Sequence, residues 1–146
     1  MTEHKNYHAL HEDKIYMGGA ADVEAMVKNE GIQVIVDLRG EAMECAYPGA
    51  SAEWVQIPLG DNAKESQELL FKKAIDEVMN AYKNGKKVAF HCGGGKGRTG
   101  TVAVGTLIEL GQASTINEAE VLAKSIRNVI NLKAPQRESL QKLYEN

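Results

Sequence analysis

Cys92 and Arg98 are separated by five residues, and every one of the five is glycine or lysine: Gly93, Gly94, Gly95, Lys96 and Gly97. The apolar run Val88-Ala89-Phe90 leads into His91-Cys92, and an apolar helical segment succeeds Arg98-Thr99. A loop bent this way between a strand and a helix can turn its N–H groups inward as an anion nest, and the helix start adds its positive dipole end. The planar fork of Arg98 can grip two oxygens of one phosphate, which a lysine ammonium cannot. The same field favours Cys92 as thiolate, the nucleophilic form of a cysteine. These residue types at this spacing suit attack of Cys92 on a phosphate monoester held by Arg98 and by the amides of Gly93 through Arg98.

Such an attack expels an alkoxide or phenoxide, and a carboxylic acid on a second loop that protonates it contributes ~10²–10⁴-fold. Asp61, in Ile57-Pro58-Leu59-Gly60-Asp61-Asn62, stands between a strand and a helix and is the candidate acid. An ordinary helix N-cap is the alternative role for an Asp at such a place. Thr99 can donate to the Cys92 sulfur and stabilise it as the leaving group when water cleaves the phosphoenzyme; otherwise it bonds only backbone. His91 is expected to face away from substrate and anchor the loop. Lys96 would place a second cation beside the phosphate and favour multiply phosphorylated or acidic substrates, unless it is simply solvated. Asp37, Arg39 and Glu41 come at the end of an apolar strand and so belong near the carboxyl edge of the sheet, where such sites lie. For Arg39, substrate contact, bracing of a loop and a surface ion pair are all open.

Two other readings of the glycines fail on context. Gly95-Lys96-Gly97-Arg98-Thr99-Gly100 fits the glycine pattern of a dinucleotide-binding turn, but the chain beyond Gly100 reads as helix after helix, with no second strand to carry the ribose acid. The ATP-type phosphate loop needs Ser or Thr directly after its lysine, where Gly97 stands here.

The elements that must position these groups read in order. Ile15 to Met17 is a short strand, Ala21 to Glu30 a helix stopped by Gly31, and Val34 to Leu38 a central buried strand. Arg39 to Ser51 is an irregular loop, and Trp54 to Ile57 a further strand. A second helix runs from about Lys64 to Asn84, and then comes the strand Lys87–His91. Arg98 to Leu110 is apolar on nearly every side and is expected as a buried helix. A capping box, Thr115 with Glu118, opens a fourth helix with Leu122 and Ile126 on its core face, and Pro135 suits the first turn of a last helix. Strands mixed with helices, several of them wholly apolar, imply an α/β fold: one domain over 1–146, with a mostly parallel central sheet flanked by helices. Residues 1–13 read as a polar leader. His4, His8 and His11 could share one helical face there, but nothing completes a metal site.

A chain of 146 residues, 43% hydrophobic and 25% charged, suits a single globular domain with a sizeable core. A net charge of −3 offers no extended basic stripe for nucleic acid, and no apolar run approaches the ~20 residues of a membrane span. Two cysteines, Cys45 and Cys92, are too few for a disulfide framework, and the loop thiol must be reduced to act; a reducing cytoplasm is the expected compartment.

In His91, Cys92, Arg98 and Thr99 the chain resembles the cysteine-dependent protein tyrosine and dual-specificity phosphatases, whose motif is His-Cys-x5-Arg with Ser or Thr next. The resemblance spans roughly Ile15 to Leu143. It implies a metal-free, cofactor-free enzyme working through a phosphocysteine, on phosphotyrosine and, if the cleft is shallow, phosphoserine or phosphothreonine proteins. It also implies that Asp61 is the acid, since relatives carry theirs in a similar Pro-x-x-Asp segment, and that Gln136 lies where kinase-associated phosphatases keep a glutamine that orients water. Lys96 is shared with lipid-directed tensin-type enzymes, although Gly93 stands where those have a further lysine. A phosphoinositide or inositol phosphate is therefore the alternative substrate. Tensin-type enzymes also suggest a Cys45–Cys92 disulfide. A phosphate-binding module without turnover is a third reading, against which Cys92, Arg98, Thr99 and the candidate acid all stand.

Overall fold

The computed structural model describes residues 6–60 and 66–145. Five strands form one sheet: β1 (His8–His11), β2 (Ile15–Gly19), β3 (Val34–Arg39), β4 (Glu53–Leu59) and β5 (Val88–Cys92), in the spatial order β1-β2-β5-β3-β4. Strands β2, β5, β3 and β4 run parallel, and only β1 is antiparallel, against β2. Five helices accompany them: α1 (Val23–Glu30), α2 (Gln67–Lys83), α3 (Arg98–Glu109), α4 (Ile116–Ile126) and α5 (Ala134–Tyr144).

The period of two along each strand sorts side chains between two cores. Ile15, Met17, Val34, Val36, Leu38, Val88, Phe90 and Cys92 point to one face, where α2, α3, α4 and α5 bury them. Tyr16, Ile35 and Ala89 point to the other, under Val23 and Met26 of α1. Strand β5 lies between β2 and β3 with all five residues buried, so both faces of Phe90-His91-Cys92 are committed. Parallel strands all deliver their carboxyl ends to one edge of the sheet, and the loops after β3 and β5 meet there beside the end of β4.

Most expected elements are present. The Thr115–Glu118 cap forms, with the Thr115 hydroxyl accepting from the Glu118 N–H at 3.1 Å and the Glu118 carboxylate accepting from the Ser114 N–H at 3.0 Å. Helix α3 is buried along nearly its whole length. On α4 the deepest residues are Ile116, Ala119 and Ala123, with Leu122 and Ile126 only partly buried.

Some boundaries differ from the sequence expectation: β2 runs on to Gly19, and β4 extends from Glu53 to Leu59. The segment 1–13 is no mere leader, because His8–His11 forms edge strand β1; His8 and His11 therefore share no helical face, and His4 lies outside the described residues. Its His-Ala-Leu-His sequence lacks the β-branched signal; pairing with β2 and burial of Leu10 make it a strand. A 3-10 turn, Ala20–Asp22, precedes α1. Helix α2 is described from Gln67, and the Lys64 start lies outside the described residues.

Candidate active site

The loop Gly93–Gly97 leaves β5 at the carboxyl edge of the sheet and enters α3 at Arg98. Inward N–H groups require outward carbonyls, and those carbonyls need partners. Each is taken by a different part of the fold. The Gly93 carbonyl accepts from the N–H of Ala20 at 3.0 Å, that of Gly95 from Nε of Arg127 at 2.8 Å, and that of Lys96 from the N–H of Asn131 at 3.2 Å. The Gly97 carbonyl accepts from the N–H of Thr101 at 2.9 Å and its hydroxyl at 2.8 Å.

Gly95 turns at φ +70°, and a Cβ there would stand 2.5 Å from the Arg127 guanidinium and 2.7 Å from the Gly18 backbone. Only glycine fits. Gly19 is similarly confined, since a Cβ would come within 2.9 Å of the Gly93 carbonyl.

The Cys92 sulfur sits buried at the floor of this loop and accepts two hydrogen bonds, from the Gly95 N–H at 3.2 Å and the Thr99 hydroxyl at 3.0 Å. Thr99 is thus in contact with the thiol, as expected for a leaving-group donor, with the Gly18 carbonyl 3.3 Å from the same hydroxyl.

Arg98 is held from outside the loop. Its Nη1 donates to Glu41 Oε1 at 2.8 Å and to the carbonyls of Leu38 and Leu59, and its Nη2 donates to Glu41 Oε2 at 3.0 Å. The end-on edge of the guanidinium therefore faces Glu41. The Nε–Nη2 edge has only one atom so engaged, and Nη2 lies 3.8 Å from the Cβ position of Gly93, at the loop. The hydrogen bonds from Arg98 pull the Glu41 carboxyl down to about 2, and Glu41 in turn raises Arg98 above its ordinary range. Glu41 thus braces the arginine.

His91 turns to the opposite face, where Nδ1 lies 3.1 Å from the Cys92 carbonyl and Nε2 lies 3.7 Å from Asp37 Oδ1. Burial lowers its pKa more than the Asp37 charge raises it, so a neutral ring donating from Nδ1 fits the site. Asp37 is fully buried and accepts from the Arg39 N–H, from Nε and Nη2 of Arg39, and from the indole N–H of Trp54. Burial pushes the Asp37 carboxyl up, but these donors together hold it below the ordinary range. Arg39 is accordingly a brace, spanning Asp37 and the Glu44 carbonyl.

The other expected residues are distributed around the loop. The side-chain amide of Gln136 lies against Gly97, 2.9 Å from its Cβ position, and its Oε1 accepts from the Lys133 N–H at 2.9 Å. Lys96 is exposed at the mouth, without a hydrogen bond or ion pair from its ammonium among the described residues. Asp61 lies outside the described residues. Cys45 is a free thiol packed on the α1 face with Tyr47 and Trp54, whereas Cys92, also free, faces the α3 side. A bridge between them would require the Cys45 loop to leave that packing.

Two participants escape a sequence reading. Trp54 looks like a strand aromatic, and only the β3–β4 pairing brings its N–H to Asp37. Arg127, at the end of α4, looks like a surface residue and yet is 5% exposed. No local signal marks it.

A buried thiol with two hydrogen-bond donors at the floor of a glycine-rich loop, between the central strand of a parallel sheet and a buried helix, is the arrangement of the cysteine-dependent phosphatases. Residues 15–146 match the model of the dual specificity phosphatase catalytic domain, and the chain belongs to that family. No curated protein sequence matches it. Among solved structures, a mouse putative dual specificity phosphatase complexed with zinc tungstate superposes with a TM-score of 0.82 at 18% identity, covering 99% of this chain and 90% of that one. Human DUSP28 superposes at 0.79 with 18% identity, covering 98% and 95%. PTPMT1 in complex with PI(5)P superposes at 0.77 with 17% identity, covering 96% and 95%. At such identities these likenesses concern the fold. The family makes the chain a phosphatase of the protein-tyrosine and dual-specificity type.

Proposed function

We propose that the chain hydrolyses phosphate monoesters on proteins, phosphotyrosine first and phosphoserine or phosphothreonine as well, through a Cys92 phosphocysteine. The thiolate attacks phosphorus while Arg98 and the amides of Gly93 to Arg98 hold the equatorial oxygens. Asp61 protonates the departing oxygen and then, as carboxylate, takes a proton from the water that cleaves the S–P bond. Cys92 leaves as thiolate, stabilised by the Thr99 hydroxyl. Gln136, against Gly97, is near enough to the loop to orient that water, and His91 supports the loop from behind. The observation that carries this reading is the sulfur's pair of donors, the Gly95 N–H and the Thr99 hydroxyl, at 3.2 and 3.0 Å. Gly93, Gly94 and Lys96 are exposed around the buried sulfur, which supports a mouth open to short phosphoserine and phosphothreonine side chains as well as long phosphotyrosine.

A second reading, a phosphoinositide or inositol-phosphate substrate, is favoured by one feature, the Lys96 ammonium exposed at the same mouth. Loss of a functional thiol under oxidation fits a reducing cytoplasm as the place of work, and no described helix is long and apolar enough to cross a membrane.

The test is turnover of p-nitrophenyl phosphate, a phosphotyrosine peptide, a phosphothreonine peptide and phosphoinositide vesicles, side by side. The native protein is expected to prefer the phosphotyrosine peptide, and Cys92→Ser to lose at least ~10⁴-fold on all of them. Asp61→Asn should lose far more on the peptide than on p-nitrophenyl phosphate, whose leaving group needs no proton. Vesicles turned over faster than either peptide would replace the protein substrate with the lipid.

A further inference from the structure

Of the four outward carbonyls that shape the phosphate loop, only that of Gly95 is held by a charged side chain. Arg127 is buried, its Nε donating to Gly95 O at 2.8 Å, and its Nη1 donates to the Asn6 carbonyl and lies 3.1 Å from His8 Nδ1. The guanidinium thus joins the loop to the start of edge strand β1. None of its partners is a carboxylate, and among the described residues it forms no ion pair.

A buried cation without a counter-ion is costly, and nearby negative charge offsets that cost. The charged and titratable groups around it are few. Asp22, whose Oδ2 accepts from the Gly19 N–H, and Cys92 act on it through space. His8 must be neutral to accept its hydrogen bond, and burial together with the Arg127 charge lowers that histidine. Arg98 and the exposed Lys96 are further cations of the loop, and the charge of Arg98 is already matched by Glu41.

We propose that Arg127 is a positioning residue for the phosphate loop. It pins the Gly95 carbonyl outward, which aims the Gly95 N–H at the sulfur, and it contributes a positive charge that a bound phosphate dianion balances. This inference rests on the phosphate-monoester reading of the site. Its consequence is that docking of β1 and the geometry of the anion nest are coupled through one side chain.

The experiment compares Arg127→Met and Arg127→Lys with the native chain, and uses Arg137→Met as a control, because Arg137 pairs with Glu120 away from the loop. Four quantities are read: kcat and KM on p-nitrophenyl phosphate, the Kd of inorganic phosphate by calorimetry in the Cys92→Ser background, and the unfolding midpoint. Loss of a charge-assisted hydrogen bond predicts a rise of at least about tenfold in phosphate Kd and KM for Arg127→Met, measured below its unfolding midpoint. Arg127→Lys keeps a cation but not the planar donor, and should weaken phosphate by about threefold or more. Arg137→Met should bind phosphate like the native chain. Phosphate binding and KM within twofold of native in a folded Arg127→Met would overturn the proposal. Should that variant fail to fold, the same native-like values in Arg127→Lys overturn it. A native chain that neither turns over the ester nor binds phosphate refutes the phosphatase reading itself; native activity with unaffected Arg127 variants refutes only this inference.

Discussion

Two loops leave the carboxyl ends of neighbouring parallel strands, and they are built on opposite principles. The loop after β5, Gly93–Gly97, carries one side chain beyond a hydrogen atom, that of Lys96, and its shape is a backbone matter: carbonyls tied outward by Ala20, Arg127, Asn131 and Thr101. The loop after β3, residues 40–52, has no regular structure and is tied by side chains. Asp37 grips Arg39, Arg39 reaches the Glu44 carbonyl, and Gln56 donates to the carbonyls of Arg39 and Ala42. The first loop must present convergent N–H groups to an anion, so it cannot spend side chains on its own support. The second has only to place Glu41 against Arg98, and it does so while leaving Met43 94% exposed. A backbone-built loop should tolerate no Cβ where the turn is tight; a side-chain-built loop should fail by degrees.

The largest effect expected from this contrast is at Gly95. Gly95→Ala puts a methyl into the Arg127 guanidinium and the Gly18 backbone at a positive φ, so the nest must open. Turnover of p-nitrophenyl phosphate should fall by about 10³-fold, comparable with losing preorganised donors at a transition state. A drop of less than tenfold would mean that the nest does not depend on this turn.

Asp37→Asn tests the other loop through stability. Breaking a buried pair leaves Arg39 without its counter-charge and should cost about 3 kcal/mol in chemical denaturation, with turnover reduced much less than by Gly95→Ala. Glu41→Gln touches the join between the loops. Arg98 keeps its carbonyl acceptors but loses its charged brace, so kcat/KM should fall about tenfold and the stabilisation that the ionised Glu41 lends at neutral pH should go with it. An unchanged kcat/KM would show that the two carbonyls suffice.

The smallest effect is the response to mild acid. Burial lowers both His8 and His91, so the unfolded chain takes up protons first as pH falls below ~6.5. Stability should therefore decline from pH 7 towards 5, and His91→Asn should flatten that slope in thermal unfolding. The Glu41 contribution has a different window. Its folded carboxyl is pulled down to about 2, so the stabilisation persists to ~4.5 and is lost only as pH falls further toward 2. A midpoint that holds steady from pH 7 to 5 would rule out the histidine contribution.

Much of this molecule is legible in its residues because the physics is local. Cys92 and Arg98 at a five-residue separation, with glycines between, already specify a loop that can hold a phosphate, and Thr99 comes next at the first helical turn, where its hydroxyl reaches the sulfur. The apolar stretches of β3, β5 and α3 read correctly because burial on both sides leaves no alternation to mislead. Strand β1 does not read, since a four-residue edge strand draws its stability from its neighbour's backbone rather than from its own side chains.

What only the tertiary structure decides is which distant groups meet. Arg127 is 32 residues from Gly95, and Glu41 is 57 from Arg98. Sequence spacing carries no information at such separations; parallel pairing of β3 with β5 brings Glu41 to the loop, and packing of α4 against α3 and β1 brings Arg127 beneath it. The chemistry resides in a short motif whose covalent neighbours suffice to define it. Its support comes from chain segments made adjacent by burial of two hydrophobic cores, and that adjacency exists only once the chain has folded.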